Sequence, residues 1–289
     1  MANMREIRAR IKSVKSTQQI TKAMKMVSAA KLRRTEGSMA TVRNFAEQSQ
    51  RILDELLSGG ADYANRFLTP REEVKKVCYV LFVGSRGLCG IYNHAMLRYA
   101  QEILAAETRP YSLVVCGRWG RDVIAHEGLQ AERTFADMSD TPTLEDSLAL
   151  ADYLKEKYLK EDADEIHLLY QHYHSVLQQT PTSLQLLPAK AETAEKSESG
   201  NEYIFEPDGE TVLENLMQLY LNNTVYSVLL EAKVGEQAAR MTAMSTATDA
   251  TTELIDDLSL QLNRVRQAAI TTEIAEIVGG ANALDAANN

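Results

Sequence analysis

The chain has 289 residues, of which 45% are hydrophobic, 25% charged and 6% aromatic, a balance typical of a folded protein with an aliphatic core. Its three cysteines form no CxxC pair, which disfavours a disulfide framework and a zinc site. The net charge is −9, and the sequence shows neither an apolar signal-peptide core at its start nor a run of about 18 apolar residues, so it predicts no secretion signal and no membrane span.

The N-terminal part predicts one long helix from about residue 3 to residue 57. Four apolar residues recur at spacings of 3, 4 and 3, which predicts a coiled-coil seam: Met4, Ile7, Ile11 and Val14. Polar residues stand where this seam should continue, at Gln18 and Thr21. A second apolar stripe begins at Ile20, Met24 and Val27, so the pattern predicts a shift in the phase of the seam.

This predicted helix is strongly basic at its start. Residues 1–34 hold ten cations and one carboxylate, Glu6, so this end carries about +9 and the remainder about −18. A charge run is often only a solvated face, but nucleic acid, a membrane surface or an acidic protein could also explain it. No nucleic-acid reading motif is present, and a coiled-coil partner would compete with a membrane for the apolar face. An acidic protein surface is therefore the favoured partner.

The middle part, from about residue 70 to residue 205, alternates apolar runs with helical patterns and predicts a mostly parallel α/β sheet. The predicted strands are 77–83, 112–117, 165–173 and 183–188. The predicted helices are 93–106, a short one through 123–126, and 144–158, and the polar segment 189–202 is expected to be a loop.

Candidate catalytic and ligand sites in this part are weak. GSRGLCG (84–90) and GRWG (117–120) follow strands, as phosphate-binding turns do, but neither fits a nucleotide motif, so structural turns are favoured. His167, His172 and His174 do not match a common metal spacing, and no GxSxG elbow occurs. The sequence therefore predicts no active site, cofactor or metal on this chain.

The third part, from about residue 211 to residue 284, predicts another long helix because no proline occurs in it. Its apolar residues form two seams, the second one position out of phase with the first: Ile255, Leu258, Leu262, Val265 and Ala269, then Ile270, Ile274, Ile277, Ala281 and Leu284. Two long helices with such stripes most simply pack together, with a compact α/β module between them in sequence.

The two ends of the chain together resemble the gamma subunit of F-type ATP synthases of the bacterial type. The motifs are EIRARIKSVKSTQQITKAMKMVSAAKLRR, RGLCG, LLP (186–188), EPD (206–208), EQAARMTAMSTATDA and RQAAITTEIAEIVGGANAL, in the same order. The resemblance covers essentially the whole chain. It implies a long antiparallel coiled coil of the terminal helices with an inserted Rossmann-like α/β domain. The expected domains are 1–60, 70–208 and 209–289.

The resemblance also implies a function. In this family the gamma subunit is the rotor shaft inside a ring of alpha and beta subunits, and with the epsilon subunit it stands on the ring of c subunits. Proton or sodium flow turns the c ring and the shaft, and ATP forms on beta. The chain is then expected to be a non-catalytic subunit at the cytoplasmic face of the cell membrane, attached only through the c ring, and to bind no nucleic acid.

Residues that match the family motifs are expected to take the family's roles. Positions that contact beta or pack within the shaft are Met24, Lys25, Arg240, Arg266, Gln267, Thr271, Glu273 and Glu276. Tyr203 and Glu206 match positions that touch the c ring. Ser85 stands where the family usually has Asp, and no cysteine pair is present for the thiol regulation of photosynthetic relatives. The alternative is a non-rotary coiled-coil scaffold whose basic end binds anionic lipid or nucleic acid.

Overall fold

A computed structural model describes residues 4–58, 65–189, 206 and 208–287 of the chain. The helices are α1 (Met4–Ser58), α2 (Tyr92–Ala106), α3 (Arg118–Ile124), α4 (Leu144–Leu159) and α5 (Gly209–Ala287). The strands are β1 (Val77–Phe82), β2 (Tyr111–Cys116), β3 (Arg133–Phe135), β4 (Glu165–Tyr173) and β5 (Gln179–Leu187). The chain divides into two compact units, a helical unit of Met1–Met26 with Ala243–Asn289 and an α/β unit of Val27–Thr242.

The α/β unit contains a mixed sheet of five strands in the order β3-β2-β1-β4-β5. β1 pairs in parallel with β2 and β4, and β2 with β3, whereas β4 and β5 are antiparallel. The apolar run VCYVLF is the central strand, and all six of its residues are buried because helices cover both faces of the sheet. The predicted α/β sheet is therefore confirmed, with β3 as a further strand.

Two hydrophobic clusters fill the two faces of this sheet, because successive side chains of a strand point to opposite sides. Val77, Tyr79 and Leu81 face a cluster that includes apolar residues of α2 and Ile124 of α3. Cys78, Val80 and Phe82 face a cluster built with residues of α4 and α5. The sheet is thus the middle layer of a three-layer core, and α5 forms part of one of the two helical layers.

The connection from β2 to α3 differs from the prediction. The helix begins at Arg118, five residues before the predicted segment at 123–126. Gly117 has a φ of +123°, and a Cβ at that position would lie 2.2 Å from the carbonyl oxygen of Val83. A glycine therefore lets the chain turn directly from strand to helix at a point where two backbones nearly touch.

Side chains fix the starts of two helices. The Thr143 hydroxyl accepts from the Asp146 N–H, and the Asp146 carboxylate accepts from the Thr143 N–H, which forms a capping box at the start of α4. Asp208 Oδ1 accepts from the Thr211 N–H at 2.9 Å, which caps the start of α5. Within the described residues, no helix has a stretch long and apolar enough to cross a membrane.

Candidate functional site

The helical unit joins α1 and α5 through a set of polar side chains. Three hydrogen bonds cross between the helices: Gln18 Nε2 to Thr252 Oγ1 (2.7 Å), Thr21 Oγ1 with Thr248 Oγ1 (2.8 Å), and Lys25 Nζ to Ser245 Oγ (2.9 Å). The residue numbers rise along α1 as those of their partners fall along α5, so the two helices are antiparallel, as expected. These six residues are called the hydroxyl ladder below.

The inward face of α1 keeps one heptad phase through the ladder. Buried and half-buried residues recur along this face at spacings of 3, 4 or 7 residues: Met4, Ile7, Ile11, Val14, Gln18, Thr21, Ser28 and Leu32. Met24, at the flank of this face, is also half-buried, whereas Lys25, at the heptad position between Thr21 and Ser28, is exposed. Ile20 and Val27 are 57% and 55% exposed. The predicted phase shift of the seam is therefore wrong. Polar residues continue the inward face because the ladder provides their hydrogen bonds, and the apolar residues Ile20 and Val27 form an outer row.

The inward face of α5 is also a continuous heptad. Its buried and half-buried positions alternate at spacings of 4 and 3: Met244, Thr248, Thr251, Ile255, Leu258, Leu262 and Val265. The predicted seam of Ile255 to Val265 is confirmed. The register of the ladder places Val14 opposite Ile255 and Met4 opposite Val265, so the apolar seams of the two helices meet on one side of the ladder.

Beyond Val265 the side chains of α5 are exposed. Every residue from 266 to 281 is exposed, and Ile270, Ile274 and Ile277 are 49%, 56% and 66% exposed. The second predicted seam is therefore not an inward face of the coiled coil, which corrects the expectation. The reason is length, because α1 begins at Met4, opposite Val265, and α5 continues past that point. Residues 266–281 are called the exposed end of α5.

Five of the residues that match family contact positions lie on this exposed end: Arg266, Gln267, Thr271, Glu273 and Glu276. The Thr271 hydroxyl donates to the Gln267 carbonyl oxygen at 2.9 Å, within the helix. Arg266 and Glu273 are seven residues apart and so lie on the same side of the helix. The exposed end thus presents isoleucines and charges of both signs outward.

Met24 lies in the helical unit next to Lys25, which is part of the ladder. Met24 is half-buried, whereas Lys25 is exposed and its ammonium is bound by Ser245. Of the ten cations in residues 1–34, nine have exposed side chains, and Lys31 is half-buried and forms an ion pair with Asp140 in the α/β unit. Exposed cations on a helix attract an acidic surface over distances of about a Debye length.

Arg240 lies in the α/β unit and is 6% exposed. Its guanidinium donates to Glu236 Oε1 at 2.7 Å and to the carbonyl oxygens of Arg86 and Gly87 at 3.2–3.3 Å. These contacts are with the turn that follows β1, so the structure uses this side chain inside the chain. Of the two residues expected at the c ring, Glu206 is exposed and Tyr203 lies outside the described residues.

The three cysteine thiols of the α/β unit are buried. Burial raises the pKa of Cys78 to about 11 and also raises the pKa values of Cys89 and Cys116, which keeps these thiols protonated near neutral pH. His172 Nδ1 lies 2.6 Å from Glu231 Oε1. In the part of the chain that the structure describes, no group of three or more metal-ligating side chains lies close enough to hold an ion.

Comparison with known proteins agrees with this geometry. The family model described as ATP synthase matches residues 3–284. The ATP synthase gamma chain of Desulforamulus reducens is 44% identical over 287 residues, which is 99% of this chain and 100% of the relative. The chain belongs to the ATP synthase gamma-chain family. The gamma chain of Staphylococcus aureus, strain Newman, is 39% identical over 289 residues.

Solved structures share the fold of this gamma-family chain. The rotor of the Euglena gracilis mitochondrial ATP synthase matches with a TM-score of 0.64 and 23% identity over 92% of this chain and 98% of that chain. A chain of the OSCP/F1/c-ring assembly of the same organism matches with a TM-score of 0.68 and 24% identity over 99% of this chain and 96% of that chain.

One group of residues in this gamma-family chain is not found by sequence reasoning. Glu231, Lys233 and Glu236 of α5 are 7%, 3% and 1% exposed. Glu236 Oε1 accepts from the Arg240 guanidinium at 2.7 Å. Lys233 Nζ donates to Glu236 Oε2 at 3.0 Å and to Ser85 Oγ at 3.3 Å. The spacing of Lys233, Glu236 and Arg240 by 3 and 4 residues indicates pairing along a helix, but it is equally typical of a solvated face.

Proposed function

We propose that this chain is the central-stalk rotor subunit of an F-type ATP synthase. One observation supports the proposal most strongly: α5 passes beyond the start of α1 as an exposed helix that carries isoleucines. Three exposed isoleucines at spacings of 4 and 3 on one helix form an apolar row, which indicates a partner surface. In a gamma chain that partner is the interior of the ring of alpha and beta subunits.

The proposed partners are the alpha and beta subunits, the epsilon subunit and the c ring. In this proposal the terminal helices, residues 1–60 and 209–289, form the shaft. The α/β domain, residues 70–208, stands with epsilon on the c ring, where Tyr203 and Glu206 contact the c subunits. The chain then lies at the cytoplasmic face of the membrane and is held there by the c ring, and ATP is made on beta.

A rotor meets three beta subunits in turn, so its contacts must form and release repeatedly. We assign this role to the exposed cations around Met24 and Lys25, to the outer row of Ile20 and Val27, and to the polar residues of the exposed end from Arg266 to Glu276. Charge attraction between a basic helix and acidic beta segments is long-range and does not require one fixed geometry. Small apolar contacts add affinity without permanent docking.

Co-purification and coupled synthesis test the proposal. The tagged chain, expressed in its native cell, is expected to bring down alpha and beta subunits, and complexes that contain it should make ATP when an ion gradient is imposed. Replacing Ile270, Ile274 and Ile277 by Asp should reduce assembly, because three exposed apolar contacts are lost, whereas Glu253→Gln should not. Recovery of lipid or nucleic acid without alpha and beta would instead support the scaffold alternative.

A further inference from the structure

One segment of α5 in the α/β unit is enclosed on every side. Residues 231–238 are buried without interruption. Successive residues of a helix point about 100° apart, so eight buried residues in a row require neighbours all around the helix axis. Several of these residues are charged or polar, and Arg240 lies just beyond them. The segment Glu231–Arg240 is called the collar segment below.

On one side, the collar segment holds the turn that follows β1. Arg240 donates to the carbonyl oxygens of Arg86 and Gly87 at 3.2–3.3 Å, and Lys233 Nζ donates to Ser85 Oγ at 3.3 Å. Glu236, 1% exposed, lies between the two cations and accepts from both. Each charge of this group therefore has a partner in a fixed direction.

On the opposite side, the collar segment holds the end of β4. Glu231 Oε1 accepts from the Tyr173 N–H at 2.8 Å and lies 2.6 Å from His172 Nδ1. Glu231 and Arg240 are nine residues apart, so their side chains leave the helix in directions about 180° apart. The two sets of hydrogen bonds therefore act on opposite sides of the same helix.

A third contact comes from α2. The Tyr92 hydroxyl donates to the Ala232 carbonyl oxygen at 2.7 Å. A Cβ at Gly235 would lie 3.2 Å from Tyr92 Cε2, so glycine lets the ring approach the helix closely. Tyr92 is 2% exposed.

These contacts differ from apolar packing in their dependence on direction. Burial of apolar surface is in itself non-directional, and apolar side chains resist the turning of a helix through their close packing. Hydrogen bonds weaken steeply when their angles change, and a turned helix would leave Lys233, Glu236 and Arg240 buried without partners. We propose that the collar segment anchors α5 in the α/β unit against rotation about the helix axis, so that torque passes between this unit and the rest of α5.

This inference rests on the proposed rotor function, because only a rotor subunit must carry torque. It assigns Glu231, Lys233, Glu236 and Arg240 as positioning residues, which act through the helix that they hold. The same helix continues from the collar segment to Ala287, so a twist applied to its far end reaches the collar through unbroken helical hydrogen bonds.

The test replaces the charged group by apolar residues of similar size, with Lys233→Met, Glu236→Leu and Arg240→Met in one chain. Such a replacement keeps packing and often keeps or raises stability, but it removes the directional bonds. The matched control is Lys157→Met with Glu132→Leu, which removes another ion pair of 2.7 Å in the same unit. Lys157 is 7% exposed, and neither it nor Glu132 lies on α5.

The experiment uses assembled complexes in which the exposed end of α5 is cross-linked to a beta subunit. A rod is fixed to the α/β unit, and the angular fluctuation of the rod is measured. Thermal variance of the angle is inversely proportional to torsional stiffness. We expect the triple variant to raise this variance roughly twofold or more, because directional bonds are lost. Its thermal midpoint should stay near that of the control, which separates loss of anchorage from loss of fold.

An unchanged variance in an assembled triple variant would overturn the anchoring role and leave the rotor function standing. Failure of the unmodified chain to assemble with alpha and beta would overturn the rotor function and, with it, this role. If the triple variant does not fold, the angular variance is measured on Glu236→Gln instead. This change keeps the side-chain size and removes the charge that joins Lys233 to Arg240, so an unchanged variance would again overturn the anchoring role.

Discussion

Thr21 of α1 and Thr248 of α5 share a hydrogen bond of 2.8 Å at the point where both inward faces are polar. Thr21 Oγ1 also lies 3.0 Å from the Gln18 carbonyl oxygen, and Thr248 Oγ1 lies 2.7 Å from the Met244 carbonyl oxygen. Each hydroxyl has one hydrogen, so the chain of bonds runs in one direction across the two helices and ends on a backbone carbonyl. The polar part of the coiled coil is therefore satisfied by its own side chains.

Removing this pair should show coupling between the two helices. Thr21→Val alone is expected to lower the free energy of unfolding by about 1 kcal/mol, because Thr248 loses a cross-helix partner. Thr21→Val with Thr248→Val should cost less than the sum of the two single changes, since both hydroxyls are gone and valine has a similar shape. Urea unfolding of the full chain measures the cycle, and strict additivity would contradict the pairing.

Reversing the charge beside the ladder should weaken coupling to the catalytic subunits. Lys22→Glu with Lys25→Glu is expected to slow or uncouple ATP synthesis while the complex still assembles, because acidic beta segments would meet like charge. Lys25→Ala removes the hydrogen bond to Ser245 without introducing a negative charge, so its synthesis rate shows how much of the effect comes from losing that bond alone. Arg98→Glu with Arg121→Glu, at side chains that are 78% and 51% exposed in the α/β unit, serves as a control with the same change in net charge. Equal synthesis rates in all variants would count against an acidic partner at this helix.

Asn93 should be important for the turn after β1. Its Oδ1 accepts from the Gly84 N–H at 2.8 Å and its Nδ2 donates to the Arg86 carbonyl oxygen at 3.3 Å, and the residue is 2% exposed. Asn93→Ala is expected to lower the free energy of unfolding by about 2 kcal/mol, because it leaves a buried N–H without this acceptor. Arg98→Ala on the same helix should change it by less than about 0.5 kcal/mol. Equal midpoints in thermal unfolding would refute the role.

Glu107 should make stability depend on pH. Hydrogen bonds from the Arg109 guanidinium, and one from the Tyr79 hydroxyl at 2.7 Å, hold the pKa of Glu107 well below its usual range. A lowered folded-state pKa stabilises the fold above the unfolded pKa of about 4.3, and this contribution is lost as pH falls through the folded value. Glu107→Gln should therefore be less stable than the unmodified chain at pH 7, and the difference should shrink below about pH 4.

The unfolding free energies of both chains between pH 7 and pH 3 measure this effect. Glu102→Gln is the control, because that carboxylate is exposed and its pair with Arg98 is long, at 4.0 Å. A constant difference between the Glu107→Gln chain and the unmodified chain across this range would show that the carboxylate charge does not contribute.

The sequence predicts the elements of this fold well where one pattern is dominant. The apolar run at 77–83 is a buried strand because a central strand in a covered sheet is apolar on both faces. The short edge strand β3 is not predicted, since three residues with Arg at their start carry no strand pattern. Edge strands are short and weakly patterned in general.

The sequence does not decide between overlapping stripes on one helix. Ile20 and Val27 are more apolar than Gln18 and Thr21, yet the polar pair is inward, because the flanking heptads fix which side of a stiff helix faces its partner. Ile270 to Ile277 have the spacing of a buried seam, but α1, as the structure describes it, begins at Met4, opposite Val265. The periodicity of the sequence predicts an apolar stripe on the helix, but it does not predict which element, if any, packs against that stripe.

Buried charges are missed for a related reason. Lys233, Glu236 and Arg240 are spaced by 3 and 4 residues, as on the solvated face of a helix, and this spacing cannot distinguish that face from an enclosed ion network. The sequence does contain one indication that this part of the helix is buried. Gly235 lies between Lys233 and Glu236, and a glycine inside a long helix often marks a position where another group approaches the backbone closely. Here the approaching group is the ring of Tyr92.

As the proposed rotor subunit, this chain turns as a shaft inside a ring of alpha and beta subunits. The most direct test is to assemble it with those subunits, fix the ring to a surface, attach a rod to the α/β unit and add ATP. We expect stepwise rotation of the rod in one direction, which stops when ATP is removed. Sustained ATP hydrolysis by the assembled complex while the rod stays still would contradict it.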